Sequence, residues 1–200
     1  VTNFAYDARR SVAADSKVLI GIAAARLIPD NSSVILNIGT TTEQVATALR
    51  RHQGLMVITN NINVANILRD APSAEVVIAG GLVRHSDGGI MGEATVDFIR
   101  QFKVDFAVIG ASAIDRDGSI LDYDFREVKV SQAIIAQARK TILVSDSLKF
   151  ERTAPVRIAD LSMIDVFVTE VEPPREIVDY CRAHDVELII AGPMAAEQAA

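Results

Sequence analysis

The stretch "ILNIGTTTEQVATAL", residues 35–49, decides how this chain is read. Ile35, Leu36 and Ile38 belong to a short apolar run of the kind found in parallel sheets, whose strands are covered on both faces. From Glu43 onward, Val45, Ala46 and Leu49 recur at helical spacing. Between strand and helix lie Gly39, Thr40, Thr41 and Thr42. A turn of this kind offers backbone N–H groups, small hydroxyls and the positive end of a helix dipole, which together suit an anion. The same residues have a plainer use, in which Thr40 or Thr41 caps the helix and Gly39 eases the turn. The local sequence leaves both uses open.

The pattern repeats outward. A long amphipathic helix carrying Val12, Leu19, Ile20, Ala23 and Leu27 comes first, and apolar runs predict strands at 34–38, 55–59, 75–79, 105–109, 141–145, 165–169 and 187–191. Most of the intervening segments are helical in period, as with Val128, Ile134, Ile135 and Ala138. This alternation predicts an α/β fold, a mostly parallel sheet with helices on both faces. Pro173-Pro174 reads as the start of a helix and not as a linker, so residues 1–200 are expected to form a single domain.

Composition narrows the function. The 200 residues are 50% hydrophobic and 23% charged, with a formal net charge of -6, an ordinary globular balance. An acidic chain without Lys/Arg clusters is not expected to grip nucleic acid itself. A single cysteine, Cys181, excludes an internal disulfide, reads as a core thiol and fits a reducing, cytoplasmic setting. His52, His85 and His184 lack metal-ligand spacing, and neither metal nor cofactor is expected. No apolar run approaches the ~18 residues of a membrane span.

In open α/β sheets ligands bind beyond the carboxyl ends of the strands. Here those positions hold Gly39 to Thr42, Asn60-Asn61, Gly80-Gly81, Gly110-Ala111-Ser112 and Asp146 to Lys149. Each is ordinary turn chemistry by itself. Their coincidence at successive strand ends points to a small polar ligand, an anion by preference. Asp122, Asp124 and Glu127 gather before a helix and suit recognition of sugar or polyol hydroxyls, or general-base work, although a helix start also favours acids. Lys149 and Arg84 are candidate anion partners, the latter in the glycine-rich connector "IAGGLVRHSDGGIMGEAT".

The series "ILNIGTTTEQVATAL", "VITNNINVANIL", "VIAGGLVR", "VDFAVIGASAIDRDGSILDYDFREVKVSQAII" and "TILVSDSLKF" resembles the C-terminal effector domain of DeoR-family transcriptional repressors over roughly residues 6 to 190. The segment "DYDFREVKVSQAII" looks closest to repressors of glycerol 3-phosphate metabolism. The resemblance implies the fold shared by ribose-5-phosphate isomerase, glucosamine-6-phosphate deaminase and coenzyme A transferases. It also implies a phosphorylated sugar or polyol inducer and a homo-oligomer, dimer or tetramer. Operator DNA would then be held only through an N-terminal winged helix-turn-helix, which is missing from this sequence.

The isomerase relationship supplies a competing expectation, a sugar-phosphate isomerase with Glu127 as its base. Against it, Ser112 and Ala113 stand where such an enzyme has its acidic pair, and the enzyme's lysine-triglycine segment has no counterpart between Leu121 and Val128. Isomerisation needs an electrophile as well as a base. A binding site is therefore expected, with the threonine loop and Lys149 on the phosphate and Asn60, Asp122, Asp124 and Glu127 on the carbon-chain hydroxyls.

Overall fold

The computed structural model describes residues 2–192, with side chains described from residue 14 onward, so Val12 of the first helix lies outside the described side chains. Helix α1 (Thr2–Ala25) leads into β1 (Ser33–Leu36), α2 (Thr40–Leu49), β2 (Leu55–Thr59), α3 (Ile62–Leu68) and β3 (Ala74–Ile78). The glycine-rich connector folds into a hairpin of β4 (Leu82–Val83) and β5 (Ile90–Met91), followed by α4 (Glu93–Ile99) and β6 (Val104–Ile109). A second hairpin, β7 (Ala113–Ile114) and β8 (Ser119–Asp122), precedes α5 (Phe125–Gln137) and β9 (Ala138–Val144). The chain closes with β10 (Val156–Asp160), β11 (Val166–Thr169), α6 (Arg175–Ala183) and β12 (Glu187–Ile190).

All seven predicted strands form one sheet in the order β12-β11-β9-β6-β1-β2-β3, and every neighbouring pair is parallel. Strand alternation divides the core in two. Val34 and Leu36 pack with Ile20, Val45, Leu49 and Leu68 from α1, α2 and α3. Ile35 points to the opposite layer, with Ile99, Ile134 and Ile177 from α4, α5 and α6. A strand buried on both faces needs apolar residues throughout, hence the unbroken runs. Cys181 is buried in that second layer, as its place on a helix predicts, and Pro174 precedes the first residue of α6.

The smaller elements were not visible in the sequence. Strands β10, β8 and β7 make a three-stranded antiparallel sheet that adds Ile114, Ile120 and Ile158 to the second layer. The Asp115–Gly118 turn is the bend between β7 and β8, closed by Gly118 N donating to Asp115 O at 3.0 Å.

The order of winding places the site. From β1 the chain runs outward through β2 and β3, then returns to lay β6 on the other side of β1 before continuing to β9, β11 and β12. Beyond the carboxyl ends of β1 and β6 the connections therefore diverge, which opens a crevice at the topological switch point. Among the described residues, no helix is long and apolar enough to cross a membrane.

Candidate functional site

The residue before α2 is Gly39, at φ 120 and ψ 146, and it supplies no side-chain cap. The plainer use, in which Thr40 or Thr41 caps the helix, is thus corrected. The chain turns through a backbone conformation that a Cβ would strain, and the glycine leaves the helix end open. Glu43 N donates to Gly39 O at 3.0 Å, so the helix ladder begins there and the amides of Thr40, Thr41 and Thr42 have no acceptor within the helix. Thr42 is fully buried, and its Oγ1 has no partner among the described residues. Thr40 Oγ1 accepts from Lys17 Nζ of α1 at 2.9 Å, so its own proton remains available to donate.

A cavity of about 230 Å³ lies against this helix start. Its floor comes from the ends of β1, β6 and β9, with Asn37 to Thr42, Gly110 to Ser112, Val144 and Ser145. Arg84 and Asp87 from the β4–β5 hairpin, Asp122 at the end of β8, and Lys149 from a 3-10 turn (Ser147–Glu151) complete it. The volume falls below the ~300–1,000 Å³ typical of drug-sized ligands and suits a compound of few heavy atoms.

The charges are arranged unequally. Burial lowers the Lys149 pKa, opposed by Asp146, whose Oδ2 is 4.0 Å from Nζ. Nearby Arg152 and, less strongly, Lys17 also push Lys149 down, which places two further cations in the same field. Arg84 is held by carboxylates. Its Nε donates to Asp87 Oδ1 at 3.0 Å and its guanidinium approaches Asp124 Oδ2 at 3.4 Å, and the hydrogen bond to Asp87 raises its pKa above the ordinary value. Burial works against ionisation of Asp87, but hydrogen bonds from Arg84 and the Gly89 amide outweigh it and hold that carboxyl below its usual range.

Glu127 behaves differently. It is 1% exposed, and burial pushes its carboxyl up to about 8, with Arg84 and Asn60 only partly opposing and Asp122 and Asp87 adding to the rise. At neutral pH it is mainly protonated. Asn60 Nδ2 reaches Oε1 at 3.4 Å, and Oε2 has no partner among the described residues. A protonated carboxyl is a hydrogen-bond donor, whereas the sequence suggested an acceptor.

Of the residues singled out from sequence, Gly39, Thr40, Thr41, Thr42, Arg84, Gly110, Asp122 and Lys149 come together around the cavity. Asn60 and Glu127 meet each other but are buried outside its lining. Asn61 caps α3, accepting from Asn63 N at 2.9 Å, and Asp124 caps α5, accepting from Arg126 N at 2.9 Å. Gly80 and Gly81 serve the hairpin. Thr95 Oγ1 donates to Gly80 O at 2.8 Å, and a Cβ on Gly81 would lie 2.1 Å from that hydroxyl. Sequence reasoning passed over Asn37, Asp87 and Lys17. A lone polar residue in the run "VILNIG" was a readable signal for Asn37. Lys17 gave none, because only the packing of α1 on α2 brings it to Thr40.

Fold and site together define an open α/β domain with a glycine-capped helix start and flanking cations at its topological switch point. The sequence pattern of the DeoR C terminal sensor domain family matches residues 12–171, and the chain belongs to that family. The glycerol-3-phosphate regulon repressor of Haemophilus influenzae is 49% identical over 166 residues, 83% of this chain and 64% of that protein, so the chain spans under two thirds of this relative's length. Among solved structures, eIF2B delta from Chaetomium thermophilum superposes with a TM-score of 0.59 at 17% identity, over 78% of this chain and 56% of its own. Ribose 5-phosphate isomerase A from Neisseria gonorrhoeae gives 0.50 at 10% identity, over 72% and 55%. At these identities the likeness is one of fold, and it is the fold that the sequence motifs implied.

Proposed function

We propose that the cavity binds a small phosphorylated polyol or sugar, of which glycerol 3-phosphate is the type, as the effector of a transcriptional repressor. The observation that carries this reading is the fully buried, unpartnered Thr42 hydroxyl in the first turn of the glycine-capped α2. An unpaired buried hydroxyl costs about 1–3 kcal/mol, and a bound anion with its acceptor oxygens removes that cost. In this reading the amides of Thr40 to Thr42 take the phosphate, Lys149 and Lys17 supply charge, and Asp122 meets a hydroxyl of the carbon chain. The name of the Haemophilus influenzae relative supports the glycerol 3-phosphate class. Operator binding belongs to the full-length protein, a cytoplasmic homo-oligomer, and effector shifts its DNA affinity through differential affinity for two arrangements.

The site recognises its ligand without turning it over. Glu127 has a pKa near what a base requires, yet it does not line the cavity, and the acidic pair expected of an isomerase is Ser112 and Ala113. Titration calorimetry with glycerol 3-phosphate, glycerol and inorganic phosphate tests the reading. Selective binding of the phosphorylated polyol is expected, and binding of none of the three overturns it. Incubation with pentose and hexose phosphates should give no isomerised product. A product whose formation Glu127→Gln abolishes would return the site to the enzymes.

A further inference from the structure

A polar residue at the end of a buried strand needs a reason, and Asn37 has one that the phosphate alone does not supply. Asn37 follows the last residue of β1 and is 2% exposed. Its backbone is fixed on the sheet, since its N donates to Val108 O of β6 at 3.1 Å. Its carboxamide is fixed as well. Nδ2 donates to Ser131 Oγ on α5 at 2.8 Å, a contact between buried groups. That bond leaves Oδ1 without a partner among the described residues, and Asn37 lines the cavity beside the threonine loop.

The unpartnered atom is an acceptor. It repels phosphate oxygens, which are acceptors too, and attracts an O–H. Donors for the phosphate lie on the α2 side and along the cationic rim. The wall formed by Asn37 is therefore the one against which the carbon skeleton of a bound phosphate ester lies.

Building on the phosphate-binding reading above, we propose that Asn37, held by Ser131, is a ligand-binding residue whose Oδ1 accepts a hydroxyl proton from the carbon chain next to the phosphate. It selects polyol and sugar phosphates over simple alkyl phosphate esters. Ser131 is a positioning residue that touches no ligand and fixes which way the carboxamide faces.

The test compares glycerol 3-phosphate with n-propyl phosphate, which has the same chain length and no hydroxyl, by titration calorimetry. Asn37→Ala should weaken glycerol 3-phosphate binding roughly tenfold and leave n-propyl phosphate binding unchanged, as expected when one hydrogen bond in a closed site is lost. Ser131→Ala keeps the carboxamide and frees its rotation. It should cause a smaller loss, again confined to glycerol 3-phosphate, and it decides the matter if Asn37→Ala does not fold. An equal change for both esters, or no change for either, overturns the assignment of Asn37 and leaves the phosphate reading intact. Wild-type protein that binds neither ester overturns both.

Discussion

Two single side chains give residue-scale tests, because both are buried with an atom unpaired. Glu127 has a folded-state pKa of about 8 against the usual 4.5, so folding favours its neutral form. A group raised in this way contributes fully below about 4.5, and its contribution is lost as pH rises towards 8. Glu127→Gln keeps the shape without the ionisation. In urea melts the variant should match wild type near pH 4.5, gain on it up to about pH 8 by as much as several kcal/mol, and hold that lead above. A constant difference across that range would mean that Glu127 is not buried uncharged. Thr42 makes the complementary case. Thr42→Val removes an Oγ1 that no group among the described residues uses, so the urea midpoint should hold or rise while phosphate-ester affinity falls by about 1–3 kcal/mol. A variant both less stable and equally tight would make the hydroxyl structural.

At the scale of elements, the contact between α1 and α2 sets the cavity. A Cβ at Gly21 would lie 2.7 Å from the backbone of Gln44, so the two helices meet with no room for a side chain. Four residues earlier, Lys17 reaches Thr40 across the same seam. Gly21→Ala improves intrinsic helix propensity by about 1 kcal/mol, yet it forces α2 to move. Overpacking of this kind costs about 1–3 kcal/mol, so the melting temperature should fall, and with it ligand affinity, since the first turn of α2 moves too. Unchanged affinity in a folded but destabilised variant would separate the loop from the packing of α1. The same scale explains what could be read in advance. The five inner strands were legible because burial on both faces demands apolar runs, as in residues 34–36, and the half-exposed edge strands β3 and β12 because they keep mostly apolar residues between turns. Strands β4, β5 and β7 have two residues each and were not, since so short a segment carries no period and pairs only because tertiary packing brings it to a partner. The site divides in the same way. The threonine loop and Lys149 announce themselves next to strand ends, whereas the capping roles of Asn61 and Asp124 and the seclusion of Glu127 depend on helix starts and depth that residue type does not reveal.

On the scale of the whole molecule, the cavity gathers parts that are distant in sequence. The ends of β1, β6 and β9 form its floor, and the β4–β5 hairpin and the 3-10 turn carrying Lys149 form its rim. Arg84 ties the hairpin to α5 through Asp124, so the rim is linked to the second layer by an ion pair as well as by packing. The far edge, β12 with α6, contributes nothing to the lining. A ligand bound at the switch point should therefore protect unequally. With glycerol 3-phosphate at 100 times its dissociation constant, global stability should rise by about 2.7 kcal/mol, because only the folded chain has the site. Hydrogen exchange of the most protected core amides, which open only by global unfolding, should slow by that full amount. Amides in the first turn of α2, the β4–β5 hairpin and residues 147–151 that exchange by local opening should slow in proportion to their direct contact with the ligand. Those of α6 and β12 should change only as far as they exchange through global unfolding. Slowing concentrated at α6 and β12, with none around Gly39 to Thr42, would place the ligand at another site and remove the functional meaning given to the switch point.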